Sequence, residues 1–206
     1  MEYPKIETLY QRDERTFKVQ PGVFKNRVYE IIKSWHWTEK IDGTNIRCIW
    51  NHETGKLTFG GKTDNAQIHA DLIRYLYENI PVENVRAVFP DTSAVLYGEG
   101  YGAGIQKGGG LYSKSKQFIL FDVLVDGKWW LSQENVNDVA AKLNLQVVPY
   151  LGEMTLEAAT EMVRAGFPSR LNGGACPAEG MVGRTVETLF DKKGARLIVK
   201  LKTKDF

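Results

Sequence analysis

The sequence predicts an α+β fold: one domain, spanning 1–206, built of mainly antiparallel sheets flanked by helices. Three observations lead there. Strand-like segments outnumber helical ones, and their order is mixed rather than a regular βα alternation. Tight polar turns join neighbouring strand-like segments, which suits antiparallel pairing. Finally, 206 residues with 43% hydrophobic and 11% aromatic content are enough to enclose a substantial core and argue against disorder. No internal repeat, low-complexity tract or linker divides the chain.

Taken in order, the opening segment to about Pro21 is polar and charged, punctuated by Pro4, Pro21 and Gly22. Val23 to Trp35 reads as a short helix or a helix-to-strand transition. Ile46 to Trp50 and Leu57 to Phe59 flank the connection Asn51-His52-Glu53-Thr54-Gly55-Lys56, a hairpin pattern. Asp64 is placed to cap a helix whose apolar face is Ile68, Leu72, Tyr75 and Leu76. Ala94 to Glu99 is a strand that runs into a glycine-rich stretch. Gln117 to Val125 is nearly continuous apolar sequence, suited to a strand buried on both faces. Asp126-Gly127 turns the chain into Lys128 to Leu131. Ser132 and Thr155 each precede a helical pattern. The first has Val136, Val139, Ala140 and Leu143 on one face; the second has Leu156, Ala159, Met162 and Val163, and stops at Gly166 and Pro168. Strands follow near Glu179 to Arg184 and Arg196 to Leu201.

Charge and cysteine content exclude several classes. The net charge of +2, from 27 basic and 25 acidic residues, is too balanced to announce a polyanion partner by bulk electrostatics. Local clustering must supply any such site. Lys192, Lys193, Arg196, Lys200, Lys202 and Lys204 form one cluster, which also reads as a solvated strand face. Cys48 and Cys176 make neither a disulfide framework nor a zinc pattern. The N-terminus has no apolar signal core and no run reaches membrane-spanning length, so a cytoplasmic protein without a membrane partner is expected.

Several phosphate and hydrolase motifs fail on inspection. Gly61-Lys62-Thr63 ends like a Walker loop, but Lys56 stands where its first glycine is required. Gly98 to Gly104 is glycine-rich without dinucleotide spacing. No HExxH or GxSxG occurs. His36, His52 and His69 lack metal-ligand spacing.

What remains centres on Glu39-Lys40-Ile41-Asp42-Gly43-Thr44-Asn45. A lysine before an Asp-Gly turn also suits a solvated hairpin end. Its company changes the reading: Glu99 and Glu179 sit in glycine-rich strand-end contexts, and Lys200-Leu201-Lys202 closes the chain. Nucleophilic lysine chemistry needs this kind of set. An ammonium has no lone pair, so a lysine with an ordinary pKa of about 10.4 must be activated by burial, cations or metal. Lys200 and Lys202, two apart on a strand, share a face and could meet one phosphate. With Mg²⁺ they would supply the cationic field. One of Glu99 and Glu179 could bind a ribose hydroxyl and the other a metal. Phe121 could stack on a base, or simply pack in the core.

These residues resemble the ATP-dependent polynucleotide ligase and capping-enzyme superfamily, and within it the RNA ligase 2-like branch. The resemblance covers nearly the whole chain through five ordered motifs: EKIDGTN at Lys40, LYGEGYGAGIQ at Glu99, FILFDV at Phe121, AEGMVGR at Glu179, and LIVKLKTKDF at Lys200 and Lys202. Asn45 favours RNA ligases, since DNA ligases and capping enzymes usually carry arginine there. The resemblance implies a single nucleotidyltransferase domain with an ATP-grasp-like ligase core, using ATP and Mg²⁺ (or Mn²⁺). It implies three steps: Lys40 forms lysyl-AMP, AMP passes to a polynucleotide 5′-phosphate, and a 3′-hydroxyl displaces it. The substrate implied is RNA, or an RNA-containing nicked duplex, in RNA repair. By the same resemblance Glu39 and Phe121 hold adenine and Glu99 the ribose. Glu179 acts through the metal, Lys200 and Lys202 contact the α-phosphate, and Asn45 serves the nucleic-acid-dependent steps. Two departures stand out. Lys62 occupies the stretch where an arginine usually contacts nucleotide, and lysine lacks the planar fork. The chain also ends three residues after Thr203, where ligases of this type usually continue into a second domain, so the expectation is a chain without that C-terminal accessory domain. A DNA ligase or guanylyltransferase of the superfamily, or a catalytically silent nucleic-acid-binding module, are the competing readings.

Overall fold

The computed structural model describes the whole chain, residues 1–206. Its strands are β1 (Glu7–Thr8), β2 (Tyr10–Arg12), β3 (Val19–Phe24), β4 (Trp35–Lys40), β5 (Thr44–Asn51), β6 (Lys56–Gly60), β7 (Ala94–Tyr101), β8 (Gln117–Val125), β9 (Trp129–Trp130), β10 (Gln146–Val147), β11 (Tyr150–Met154), β12 (Gly180–Thr185) and β13 (Ile198–Lys202). The helices are α1 (Ala70–Asn79), α2 (Val82–Val88), α3 (Gly109–Tyr112), α4 (Gln133–Lys142) and α5 (Leu156–Ala165). Short 3₁₀ turns occupy Arg27–Ile31 and Thr203–Asp205. The fold class is the expected α+β, with strands in the majority and pairing mainly antiparallel. By contacts the chain forms two compact units: Met1–Pro4 with Asp42–Val148, and Lys5–Ile41 with Pro149–Phe206.

The first unit holds a six-stranded sheet in the order β10-β8-β7-β5-β6, with β9 added against β8. Alternation sends Ile46, Cys48 and Trp50 of β5 and Leu96 of β7 into one core, where they meet Leu72 and Leu76 of α1 and Val136 and Val139 of α4. Each fully buried large side chain contributes roughly 1.5–3 kcal/mol relative to exposure. The Asp126-Gly127 turn has positive φ at both residues, 48° and 66°, and the Lys128 N–H closes it on the Val125 carbonyl before the chain returns as β9. Ser132 caps α4 by accepting from the Asn135 N–H. Asp64 does not cap α1, contrary to the sequence expectation. His69 holds that position, and Asp64 instead accepts from Arg47 Nη1 at 2.8 Å. A buried guanidinium needs a partner more than a helix start needs this particular cap.

The second unit holds a five-stranded sheet, β1-β13-β12-β4-β11, in which only β1–β13 is parallel. One face carries Trp35, Trp37, Met181, Val199 and Leu201, packed with Leu156, Ala159 and Val163 of α5. Gly183 lies under the Trp37 ring: a Cβ there would stand 2.7 Å from two of its carbons. Thr155 caps α5 through the Ala158 N–H, and Gly166 ends it at φ 76°. The opening segment, read as merely polar, pairs as β1 with β13 and as the β2–β3 hairpin. The segment from Val23 to Trp35, read as a short helix or a helix-to-strand transition, ends β3, makes one 3₁₀ turn and leads into β4.

Candidate active site

The second unit's sheet sets the lysines by register. Gly180 on β12 lies opposite Lys40 on β4 and opposite Lys202 on β13, so the three form one row across the sheet. The next row on that face is Thr38, Val182 and Lys200. Gly180 leaves the space between the two outer lysines open. A Cβ there would come within 2.1 Å of the Leu201 carbonyl oxygen, so no larger residue fits this backbone. Glu179, one residue before β12, fills the gap. Lys40 Nζ donates to its Oε2 at 2.7 Å, and Lys202 Nζ lies 2.7 Å from its Oε1.

This bridge fixes the electrostatics. Burial alone would raise the Glu179 carboxyl, but the charges and hydrogen bonds of Lys40 and Lys202 outweigh it and hold the group below its ordinary range. Lys200, half-buried beside them, is pushed down first by burial and then by Lys202 and Lys40, with Glu7 opposing. A carboxylate held ionised among three lysines forms a preorganised field for a phosphate, and the lysines have few other anions to satisfy.

Glu39 points away from this row, as consecutive strand residues must. It pairs across the sheet with Met181, on the core face. The residue is 1% exposed, its Oε2 accepts from the Arg170 backbone N–H at 2.8 Å, and its Oε1 has no partner. A buried carboxylate oxygen left open costs free energy unless a donor arrives.

In the first unit, Asn45 on β5 lies opposite Glu99 on β7, and its Oδ1 is likewise buried without a partner. Glu99 sits inside β7 rather than at its end, as the sequence had placed it. Gly43 allows the close approach: its Cβ would meet the Gly100 oxygen at 2.3 Å and Glu99 Cγ at 2.8 Å. Asp42 accepts from the Gly108 N–H at 3.1 Å. Phe121 falls at a bulge, where the β7–β8 pairing passes from Asp122 to Leu120. Its half-buried ring meets Tyr3 edge-on at 5.1 Å, and Tyr3 Oη donates to Asp122 Oδ2. Lys62 is exposed on the loop after β6. Arg47 steadies that loop through the Gly61 carbonyl at 2.7 Å and through Asp64.

The structure thus brings Lys40, Glu179 and Lys202 into direct contact with Lys200 on their face, and sets Asn45 beside Glu99. Tyr3, Arg47 and Arg170 were missed by sequence reasoning. Arg47 left a trace there, as a lone charge amid the apolar run of β5; the other two left none. No cluster of three or more His, Cys, Asp or Glu residues is placed to hold a metal. A single carboxylate fits an ion such as Mg²⁺, which is usually bound through one or two carboxylates while substrate phosphates and water complete its shell.

A model of the RNA ligase family matches residues 33–202, a span that includes Lys40, Glu99, Phe121, Glu179, Lys200 and Lys202. The chain belongs to the RNA ligase family. Among solved structures, an apo mutant of Naegleria gruberi RNA ligase is similar to this chain at TM-score 0.68 and 19% identity, covering 98% of this chain and 58% of the other. A mutant of the same protein with ATP and Mn gives 0.66, 19%, 99% and 64%. Another with AMP and Mn gives 0.68, 18%, 98% and 62%. At these identities the likeness speaks for the fold, and this family member spans less than two thirds of each of these three structures. A search of curated proteins finds no match. No helix is long and apolar enough to cross a membrane.

Proposed function

We propose that this RNA ligase family member is an ATP-dependent, AMP-forming ligase that seals RNA 5′-phosphate to 3′-hydroxyl ends in cytoplasmic RNA repair. The observation that carries it is the Lys40–Glu179–Lys202 bridge, with Lys200 on the same face. The Lys40 amine, having lost a proton, attacks the α-phosphorus of ATP. An N–P bond forms, the bond to the pyrophosphate oxygen breaks, and pyrophosphate leaves. Lys200 and Lys202 bind the α-phosphate oxygens and balance their developing charge. Glu179 is the carboxylate for Mg²⁺ or Mn²⁺, which when bound would neutralise phosphate charge and hold geometry. The matched structures with ATP or AMP and Mn support this choice of nucleotide and metal.

AMP then passes to the RNA 5′-phosphate, and the 3′-hydroxyl displaces it with formation of a phosphodiester. Glu99 is assigned to the ribose, Phe121 to adenine stacking, Asn45 to the RNA-dependent steps and Lys62 to a looser phosphate contact. Glu39 is assigned to adenine because its open Oε1 is an acceptor awaiting a donor. The adenine 6-amino group is such a donor, whereas guanine presents an oxygen there. That difference favours ATP over GTP.

Sealing of a nicked duplex tests the reading. Wild-type protein with ATP and Mg²⁺ should join a 5′-phosphorylated RNA strand to an RNA 3′-hydroxyl, with Lys40→Ala inactive. Sealing by the Lys40→Ala variant, or wild-type activity confined to all-DNA nicks, would contradict it.

A further inference from the structure

The second unit contains a cavity of about 650 Å³ that opens beside Lys200 and Lys202, with Lys40 not among the residues that line it. Besides those two lysines, Lys5, Arg12, Lys25 and Lys204 line it. Lys5, Lys25 and Lys204 are exposed and make no ion pair. Three carboxylates also face it, from Glu7, Glu14 and Asp205, but Asp205 is committed to Arg12 at 2.6 Å. Cations therefore outnumber carboxylates six to three on this wall, in a chain whose overall charge is nearly balanced.

Resting on the ligase reading above, we propose that this cavity grips the sugar-phosphate backbone of the polynucleotide and leads its 5′-phosphate end toward Lys200 and Lys202. Sheet order gives the scale. From β4, which carries Lys40, through β12 and β13 to β1 is three strand spacings, about 14 Å at roughly 4.8 Å each. Lys5 precedes β1 on this far edge. Phosphates recur about every 3.4 Å along each strand of a duplex, so a polynucleotide spans the distance with phosphates to spare. One polyanion can thus touch the catalytic row and the edge lysines together. The electrostatics agree: Lys5 is among the charges that push Lys200 down, a strain that a bound phosphate relieves.

The test uses Lys5→Ala/Lys25→Ala and its charge-reversed form, Lys5→Glu/Lys25→Glu. Both sites are exposed and outside the proposed catalytic set. Exposed Lys56→Ala/Lys128→Ala in the other unit removes the same charge as a control. The probe is a fluorescent nicked RNA duplex with a 5′-phosphate at the nick, titrated across a salt series, beside AMP uptake from ATP without RNA. The expected result is about a tenfold loss of RNA affinity for the alanine pair, a larger loss for the glutamate pair, and a salt slope shallower by about 2. AMP uptake stays within twofold of wild type, and the control pair binds RNA like wild type. RNA affinity and slope equal to the control's would overturn the proposal. So would a raised KM for ATP with RNA binding unchanged, which would give the cavity to the nucleotide's own phosphates. Wild-type protein that takes up no AMP would overturn the ligase reading alone, and the RNA titration would still decide the cavity.

Discussion

Glu179 is the side chain on which the lysine row depends, and acid should expose that dependence. Its folded pKa lies below the ordinary carboxylate value of about 4.3. The bridge therefore contributes stability that is fully present above that value and is lost as pH falls through the lower folded one. Glu179→Ala leaves the lysines facing one another and should cost roughly 1–3 kcal/mol near neutrality. Thermal melts at stepped pH should show the gap between wild type and variant closing below about pH 4, and a constant gap would count against the bridge. Glu39→Gln tests the open oxygen. Loss of one hydrogen bond to a charged acceptor should weaken ATP about tenfold and narrow the preference over GTP, read by competition between the two nucleotides for uptake. At this scale the sequence was legible where chemistry is local. Lys200 and Lys202 share a face by strand period, and the same period already turns Glu39 away from Lys40. Tyr3 on Asp122 and Arg170 on Glu39 were not legible, because those contacts join residues 119 and 131 positions apart.

Among elements, the β5–β7 pairing brings Asn45 opposite Glu99, and it depends on Gly43. Gly43→Ala would drive a methyl into the Gly100 carbonyl. The expected cost is roughly 1–3 kcal/mol, a fall of about 2–4 °C in Tm per kcal/mol for a chain of this size. An unchanged Tm would show that the strands yield without penalty. Elements with strong local signals were readable: β8 keeps its expected bounds, and Ser132 and Thr155 cap where the sequence placed them. The N-terminal strands were not. They are two to six residues long and largely polar, and β1 exists through its pairing with β13, which no local pattern encodes. Asp64 satisfied a capping pattern but served a buried arginine instead. The helix α2, which follows Pro81, was also passed over.

For the whole molecule, a net charge of +2 conceals strong local separation. The C-terminal basic run divides into half-buried Lys200 and Lys202 and exposed Lys192, Lys193 and Lys204. Composition alone cannot make that division, because burial depends on which strands become neighbours. The family was legible through its motifs, and the structure adds the carboxylate that ties the first motif to the last two. The most direct measurement of the central claim is intact mass after mixing the protein with ATP and Mg²⁺, without nucleic acid. The account predicts a gain of one AMP that is absent from Lys40→Ala. A protein whose mass does not change, or a Lys40→Ala variant that still gains AMP, would contradict it.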